Sequence, residues 1–505
     1  MALDAFFSGI ELVFAWPTIG LVFFGVLLGI IIGSIPGVGA PIGMAMLLPL
    51  TVGMEPHNAI IFLIGIYSGG MYGGSIASIL INAPGDAGNA ATTLDGYPLT
   101  KAGRAKDALA ISATASALMG FLGALVVIVL TPVLIPIVRS FGSPEYFLVA
   151  VLGIALITVV TKGAPIKGIV AGAFGFMIST VGLAIMTPTP RFTFDQMGLY
   201  DGIDFIAILI GLFAVAEMIK LSQQQQIAGS NVTVTGNIKT GVKSVIDHPV
   251  LTTKSGLLGL FIGMIPGAGA TTSTFVSYAE AVRTYTDGKF GDGDLRGVIA
   301  TESANNPTVS GSLVPTIAFG IPGSGSTAVL LGGLILHGLR PGPDMFASQL
   351  HVTYSFFIAI FIGNLLILAV GLLLITRFSL ITQIDSSIII PIVIVLSVLG
   401  AFTLNRNWFD VAAILAFGIM GYYMVRHNYS IIAFILGAVL GPIAEENLFR
   451  SLQLEDNWLI FVTRPLSLLL VILTLLVLLG PILKEYLHSA EEDGDEAMDQ
   501  NLSEE

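Results

Sequence analysis

Long apolar runs separated by short polar loops fill the chain almost from end to end. A helix needs about 20 residues to cross ~30 Å of hydrocarbon. Runs at 108–137, 146–160, 168–185 and 205–219, and later at 352–376, 386–402, 409–423, 431–440 and 466–483, predict spanning helices. Four further apolar segments, 16–51, 58–94, 255–279 and 297–336, are interrupted by Pro-Gly near their middles. The interruptions are Ile35-Pro36-Gly37-Val38-Gly39, Asn82-Ala83-Pro84-Gly85-Asp86, Ile265-Pro266-Gly267-Ala268-Gly269 and Gly320-Ile321-Pro322-Gly323-Ser324-Gly325. Pro removes an amide donor and Gly accepts positive φ, so each segment is expected to break there. Backbone groups freed in lipid cost several kcal/mol each unless protein or a watery cavity receives them. Four such breaks ask for a functional reason.

The breaks also repeat. Gly33-Ser-Ile-Pro-Gly-Val-Gly39 matches Gly263-Met-Ile-Pro-Gly-Ala-Gly269, and Gly74-Ser75 before Pro84-Gly85 matches Gly311-Ser312 before Pro322-Gly323. Leu94-Asp-Gly-Tyr-Pro98 echoes Leu336-His-Gly-Leu-Arg-Pro341. Three landmarks in one order indicate an internal duplication.

Composition settles the class. Charged residues are 11% of 505 and the mean hydropathy is +0.89, against about 25% charged in soluble domains. Most of the surface must therefore meet lipid, and the expected fold is an all-α polytopic membrane protein. The 59 glycines suit close helix packing. With 0 cysteines, disulfides, thiolate metal sites and a cysteine nucleophile are excluded. The first basic residue is Lys101, so no secretory signal peptide is expected. Net charge is −12, concentrated in an acidic tail at 485–505 that reads as solvated and disordered.

Positive charge orients the spans. With the first Pro-Gly segment of each half as a re-entrant hairpin, the Lys101/Arg104/Lys106, Lys162/Lys167 and Arg283/Lys289/Arg296 loops share one side. The polar linker, Arg377, Arg426 and Lys484 join them, while Arg139, Arg191, Arg340, Arg406, Arg450 and Arg464 lie opposite. The expected organisation is a first transmembrane repeat at 1–220, a polar cytoplasmic linker at 221–254, and a second repeat with an extra C-terminal helix at 255–484. The two repeats would then have inverted topology, with the C-terminus cytoplasmic, as in many secondary transporters.

Broken helices aim backbone amides, carrying partial positive charge, at the midplane. None of the four interrupted segments holds Lys or Arg, so an anionic cargo would be held by amides, hydroxyls and any co-bound cation. Candidate cargo residues are Asn82, Pro84, Gly85, Asp86, Asn89 and Thr92, and in the second half Asn305, Asn306, Pro322, Gly323, Ser324 and Ser326. Unwound carbonyls and Asn oxygens are hard ligands suited to Na⁺. Glu302 and Asp86, with the glycines Gly37, Gly39, Gly267 and Gly269 of the hairpin turns, are the candidates for ion coupling. Glu302 reads equally as a proton carrier, a cation ligand or a helix-end charge near Arg296. Asp86 reads as a half-helix cap or a cargo contact.

The run Tyr72-Gly-Gly-Ser-Ile-Ala-Ser-Ile-Leu-Ile-Asn-Ala-Pro-Gly85, continuing to Thr92-Thr-Leu-Asp-Gly-Tyr-Pro98, resembles the large membrane subunit of the tripartite tricarboxylate transporter family. So do 263–270, Glu302-Ser-Ala-Asn-Asn306, Phe319-Gly-Ile-Pro-Gly-Ser324 and His337-Gly-Leu-Arg-Pro-Gly-Pro343. The resemblance implies a bacterial inner-membrane importer of tri-, di- or aromatic carboxylates, driven by a Na⁺ or H⁺ gradient, without an organic cofactor. It also implies a small membrane subunit and a periplasmic solute-binding protein as partners, with lipid around it and no nucleic acid.

Two other classes compete. Gly291-Asp-Gly-Asp294 fits the G-x-G-D pattern of an intramembrane protease, with Asp201 as a second acid, but the expected topology puts the two on opposite sides. A passive anion channel would use duplication and broken helices equally well. No H-E-x-x-H and no P-loop is present in the chain.

Overall fold

The structure, a computed structural model, describes residues 2–160, 165–185, 187–223, 234–378 and 386–479. The acidic tail and part of the polar linker lie outside the described residues. Among the described residues the fold is helical apart from one two-residue strand pair, Gly182–Leu183 with Pro190–Arg191. Its first part runs α1 (Ala2–Phe14), α2 (Thr18–Gly33), α3 (Gly39–Leu47), α4 (Pro56–Ile81), α5 (Ala90–Lys101), α6 (Ala105–Arg139), α7 (Ser143–Val160), α8 (Pro165–Ser179) and α9 (Phe205–Gln223). Its second part runs α10 (Ile238–Asp247), α11 (Pro249–Gly263), α12 (Gly269–Thr284), α13 (Leu295–Asn305), α14 (Pro307–Phe319) and α15 (Gly325–Leu336). There follow α16 (Leu350–Leu373), α17 (Ser386–Asn405), α18 (Trp408–Arg426), α19 (Ile431–Leu454) and α20 (Pro465–Leu479).

All four Pro-Gly motifs fall between helices, as their chemistry requires. The turns at 34–38 and 264–268 join α2 to α3 and α11 to α12, and the breaks at 82–86 and 320–324 separate α4 from α5 and α14 from α15. A further break was not foreseen: Pro307 starts a new helix directly after Asn306, splitting the expected single rod into α13 and α14. The N-terminal helix α1, bent by 68° from α2, was not foreseen either.

Packing follows a pattern that the two parts share. α2 lies against α4, and α11 against α13 and α14. α6 and α16 pack on one another at the centre, and each also lies on the opposite part's interrupted rod, α6 on α13–α14 and α16 on α4. α10 lies on α6 as α1 lies on α16. Beyond this centre, α9 packs on α17 and α18, while α19 packs on α7 and α8.

Close approach of α2 and α4 explains part of the glycine excess. A Cβ on Gly33 would lie 2.2 Å from Gly70 O, and one on Gly29 2.4 Å from Ile66 O. From the other helix, Gly69 and Gly73 would meet Val26 O at 2.3 Å and Ile30 O at 2.4 Å. Small residues every fourth position thus let two backbones touch, the usual route to helix association where lipid offers no hydrophobic driving force. α4 is wholly enclosed by protein although apolar enough to span, whereas only 28% of the most apolar stretch of α6 is buried.

Candidate functional site

The centre of the molecule is assembled from the two breaks and the two hairpin turns. In the first hairpin Gly37 (φ 77°) and Gly39 (φ 54°) turn the chain, and in the second Gly267 (φ 75°) and Gly269 (φ 59°) do so with nearly the same geometry. Each turn sits on its own break. Gly37 N donates to Pro84 O at 3.2 Å, and a Cβ on Gly39 would lie 2.9 Å from Asp86 Oδ2. A Cβ on Gly269 would lie 3.6 Å from Ser324 Cβ, and one on Gly323 would lie 3.0 Å from Gly263 O. Gly85 is equally tight, its Cβ position lying 1.9 Å from Gly33 O.

Asn82 and Gly320, 238 positions apart, hold the same role. Each ends its helix in the left-handed region, at φ 58° and φ 70°, where Gly is the usual residue and Asn the common substitute. Asn82 is exposed, and its left-handed backbone gives this residue type a structural role at the helix end. Asp86 and Ser324 are likewise a pair. Asp86 Oδ1 accepts from Gly88 N at 3.1 Å, and Ser324 Oγ accepts from Thr327 N at 3.2 Å within a capping box. Both cap the chain leaving a break.

Between the breaks lies a buried polar knot centred on Glu302, which is fully enclosed. Oε1 accepts from Thr92 Oγ1 at 2.6 Å and Ser75 Oγ at 2.8 Å, and Oε2 accepts from Ser112 Oγ and Ser116 Oγ at 2.8 Å each. One carboxylate from α13 thereby gathers α4, α5 and α6. No cationic side chain pairs with it among the described residues. Hydroxyl donors stabilise an enclosed carboxylate through charge-assisted hydrogen bonds. Asn89 Nδ2 and Asn305 Nδ2 both donate to Met71 O, at 2.8 Å and 3.0 Å, and both reach Ser75 Oγ. Their Oδ1 atoms are buried without partners, as is Oδ1 of Asn306, whose Nδ2 donates to Asn364 Oδ1 at 2.8 Å.

A second, smaller link crosses the centre in the opposite sense. Tyr67 OH lies 3.1 Å from both Ser312 Oγ and Ser324 Oγ. Tyr67 stands 238 positions before Asn305, and each sends its side chain to the repeat-related serine of the other part's rod, Tyr67 to Ser312 and Asn305 to Ser75. Pro322, Gly323 and Ser326 are buried in the same wall, and Pro84 is half-buried in the first.

Sequence reasoning therefore found Asn89, Thr92, Glu302, Asn305 and Asn306 together, and missed Tyr67, Ser75, Ser112, Ser116 and Asn364. Asp95 was also missed. Its Oδ1 accepts from the amides of Gly291, Gly293 and Asp294 at 2.9, 2.9 and 2.8 Å, and Tyr278 OH donates to Oδ2 at 2.9 Å. Gly291-Asp-Gly-Asp294 is thus a nest of amides that receives a carboxylate from α5. Asp294 caps α13 and pairs with Arg296, while Asp201 lines a separate cavity. The acids of the protease pattern are engaged elsewhere and do not form a dyad.

Two cavities lie near this centre, one bordering the second break and one bordering the first hairpin. One of ≈ 880 Å³ beside Phe319 and Gly320 carries Arg340 and Arg450 together with Asp201, Asp344 and Glu446. The other, ≈ 510 Å³, lies beside Ile42 and carries Glu217, Lys220 and Arg426. Among the described residues, no group of three or more His, Asp or Glu is placed to hold a metal ion.

Paired hairpins and broken helices around a buried polar centre, within a helical body of lipid-facing spans, define a multi-pass membrane transport protein. The chain belongs to the tripartite tricarboxylate transporter TctA family, whose pattern matches residues 19–436. It is 36% identical over 449 residues to an uncharacterized 52.8 kDa protein in the TAR-I ttuC' 3' region of Agrobacterium vitis, covering 88% of this chain and 89% of that protein. It is 34% identical over 211 residues to an uncharacterized protein in the TAR-II ttuC' 3' region of the same organism, covering 41% of this chain and 87% of that protein. No solved structure matches it.

Proposed function

We propose that this chain is the large membrane subunit of a binding-protein-dependent importer of organic carboxylates in the bacterial inner membrane. Its partners are a small membrane subunit and a periplasmic solute-binding protein. The cargo is a tri-, di- or aromatic carboxylate, and the driving force a Na⁺ or H⁺ gradient. The observation that carries this reading is the seating of each hairpin turn on its own half-helix start, at Asp86 and at Ser324, without a Lys or Arg in any of the four interrupted segments. Amides and hydroxyls at such starts suit a carboxylate.

In this reading 1–220 and 255–484 are two repeats of inverted topology, joined by a cytoplasmic linker. The exchange of contacts between the two parts supports it. The two hairpins with their breaks form the moving unit, in an elevator-like step, and α6–α9 with α16–α20 form the scaffold. Glu302 is the coupling group, enclosed where both parts meet, and the orphan oxygens of Asn89 and Asn305 supply hard ligands beside it. Uptake of labelled carboxylates into vesicles holding the large and small subunits, with binding protein added outside, tests the reading. Accumulation should require an imposed Na⁺ or proton gradient. Downhill equilibration that ignores both gradients, or full uptake without the binding protein, would overturn it.

A further inference from the structure

The two cavities share one wall. Along α9, Phe205 and Ile208 line the Arg340 cavity, while Phe213, Ala216 and Lys220 line the Lys220 cavity. These positions recur every three to five residues, so a single face of one helix runs from the Arg340 cavity, whose charged lining is mixed, to the Lys220 cavity. Between the cavities this helix changes character: Ile210–Val215 is a π segment flanked by α-helical turns. A π turn holds one residue more than an α turn and rotates the downstream part of the helix by about 100°. Such segments are uncommon and recur at functional sites.

The π segment aims one ring at the second break. A Cβ on Gly325 would lie 3.2 Å from Phe213 Cζ, 3.3 Å from its Cε1 and 3.6 Å from Pro41 Cγ. Gly325 opens α15, and Pro41 belongs to α3 of the first hairpin. Farther along α15, Gly332 packs on Leu209 and Phe205, and Leu331 and Ile335 line the Arg340 cavity. Phe213 therefore stands where the half-helix start, the hairpin and the α9 face converge. Its ring lies against Gly325 at the start of α15 and lines the Lys220 cavity.

We propose that the α9 face is the wall of the carboxylate path and that the Phe213 ring is its gate, closing the Arg340 cavity from the Lys220 cavity. Passage requires the ring to leave Gly325, by a rotamer change or by resolution of the π segment into regular helix. This rests on the transport reading for the identity of the cargo, whereas the closure itself does not.

The absence of native cysteine makes the test direct. Ile335→Cys places a thiol in the Arg340 cavity and Ala216→Cys one in the Lys220 cavity, each in the full chain in intact cells. A membrane-impermeant maleimide is added from the Arg340 side. Ile335→Cys should label and Ala216→Cys should not. In a Phe213→Ala background Ala216→Cys should gain labelling, while Phe213→Tyr should leave it protected. An unchanged thermal unfolding profile of purified Phe213→Ala in detergent shows that the variant has kept its fold, and continued labelling of Ile335→Cys shows that the reagent still reaches the Arg340 cavity. Labelling of Ala216→Cys behind an intact Phe213, or its full protection in a folded Phe213→Ala variant, would overturn the gate. Neither readout needs cargo, partner proteins or a gradient, so a failed uptake assay and a failed gate remain distinguishable.

Discussion

Replacing Glu302 by Gln and by Ala separates the charge of this side chain from its shape. In the native protein its two oxygens accept four hydroxyl hydrogen bonds of 2.6–2.8 Å. In Glu302→Gln the carbonyl oxygen keeps Ser75 and Thr92, and the amide donates to Ser112 and Ser116, whose hydroxyls can rotate to accept. Bonds to a charged group contribute about 1.5–3 kcal/mol each and neutral ones about 0.5–1.5. Four exchanged bonds then lose about 4 kcal/mol in sum, and removing the desolvation of an enclosed charge offsets several kcal/mol of that. The expected net change is within about 2 kcal/mol. Glu302→Ala instead strands four hydroxyls at about 1–3 kcal/mol each, so it should destabilise by about 4 kcal/mol or more. Thermal unfolding of the purified variants in detergent reads this difference. Uptake then reads function: Glu302→Gln should insert and unfold near wild type, yet fail to accumulate cargo against its gradient. If Gln unfolds as early as Ala, the bond accounting fails; if it accumulates cargo with unaltered dependence on both gradients, the carboxylate is not a coupling group.

Three further outcomes rest on particular contacts. Asn82→Gly should keep or slightly raise stability and retain uptake, because the left-handed conformation at φ 58° costs Gly nothing. Asn82→Ala should lose about 1–2 kcal/mol, and loss of uptake in the Gly variant would restore Asn82 as a cargo contact. Asp95→Ala leaves three loop amides without an acceptor and should loosen 285–294, seen as faster amide exchange there, while Asp95→Asn keeps one acceptor oxygen and should be milder. Protection unchanged in both variants would remove the anchoring role. Asp294 lies outside the spans; burial acts to raise its pKa, but the Arg296 guanidinium outweighs this and holds it below the usual carboxylate range. A folded pKa below the unfolded one gives stability that is complete at neutral pH and lost as pH falls through the folded value. Arg296→Gln should flatten that acid limb, and an unaltered acid limb in this variant would refute the pairing.

Local chemistry was legible and long-range company was not. Pro-Gly marked all four breaks because each pair acts through its own backbone, and the acids and amides around them were readable as a group. The glycine faces were readable too: Gly25, Gly29 and Gly33, with Gly65, Gly69 and Gly73, recur at spacing four in the sequence. Of the hydroxyls on Glu302, Thr92 was readable and Ser75 stood out only as a repeat landmark, while Ser112 and Ser116 carried no such mark. Ser75, Ser112 and Ser116 lie 227, 190 and 186 positions away, in otherwise ordinary apolar helices. Likewise nothing local distinguishes Phe213, whose importance comes from a π segment and from Gly325 more than a hundred residues later. The break after Asn306 was hidden because Pro at a first helical position starts a helix as readily as it ends one.

The enclosure of α4 bears on how the protein is made. This rod is among the least apolar of the candidate spans, and it leaves the ribosome long before α15 and α16, which pack along it. Until those arrive the face they cover lies bare to lipid, while α2 already covers the glycine face. Biogenesis therefore has a waiting period, during which the newborn first portion needs a chaperone, or its own hairpin, as a temporary lid. Truncated chains ending before α13 should be degraded far faster than the finished molecule.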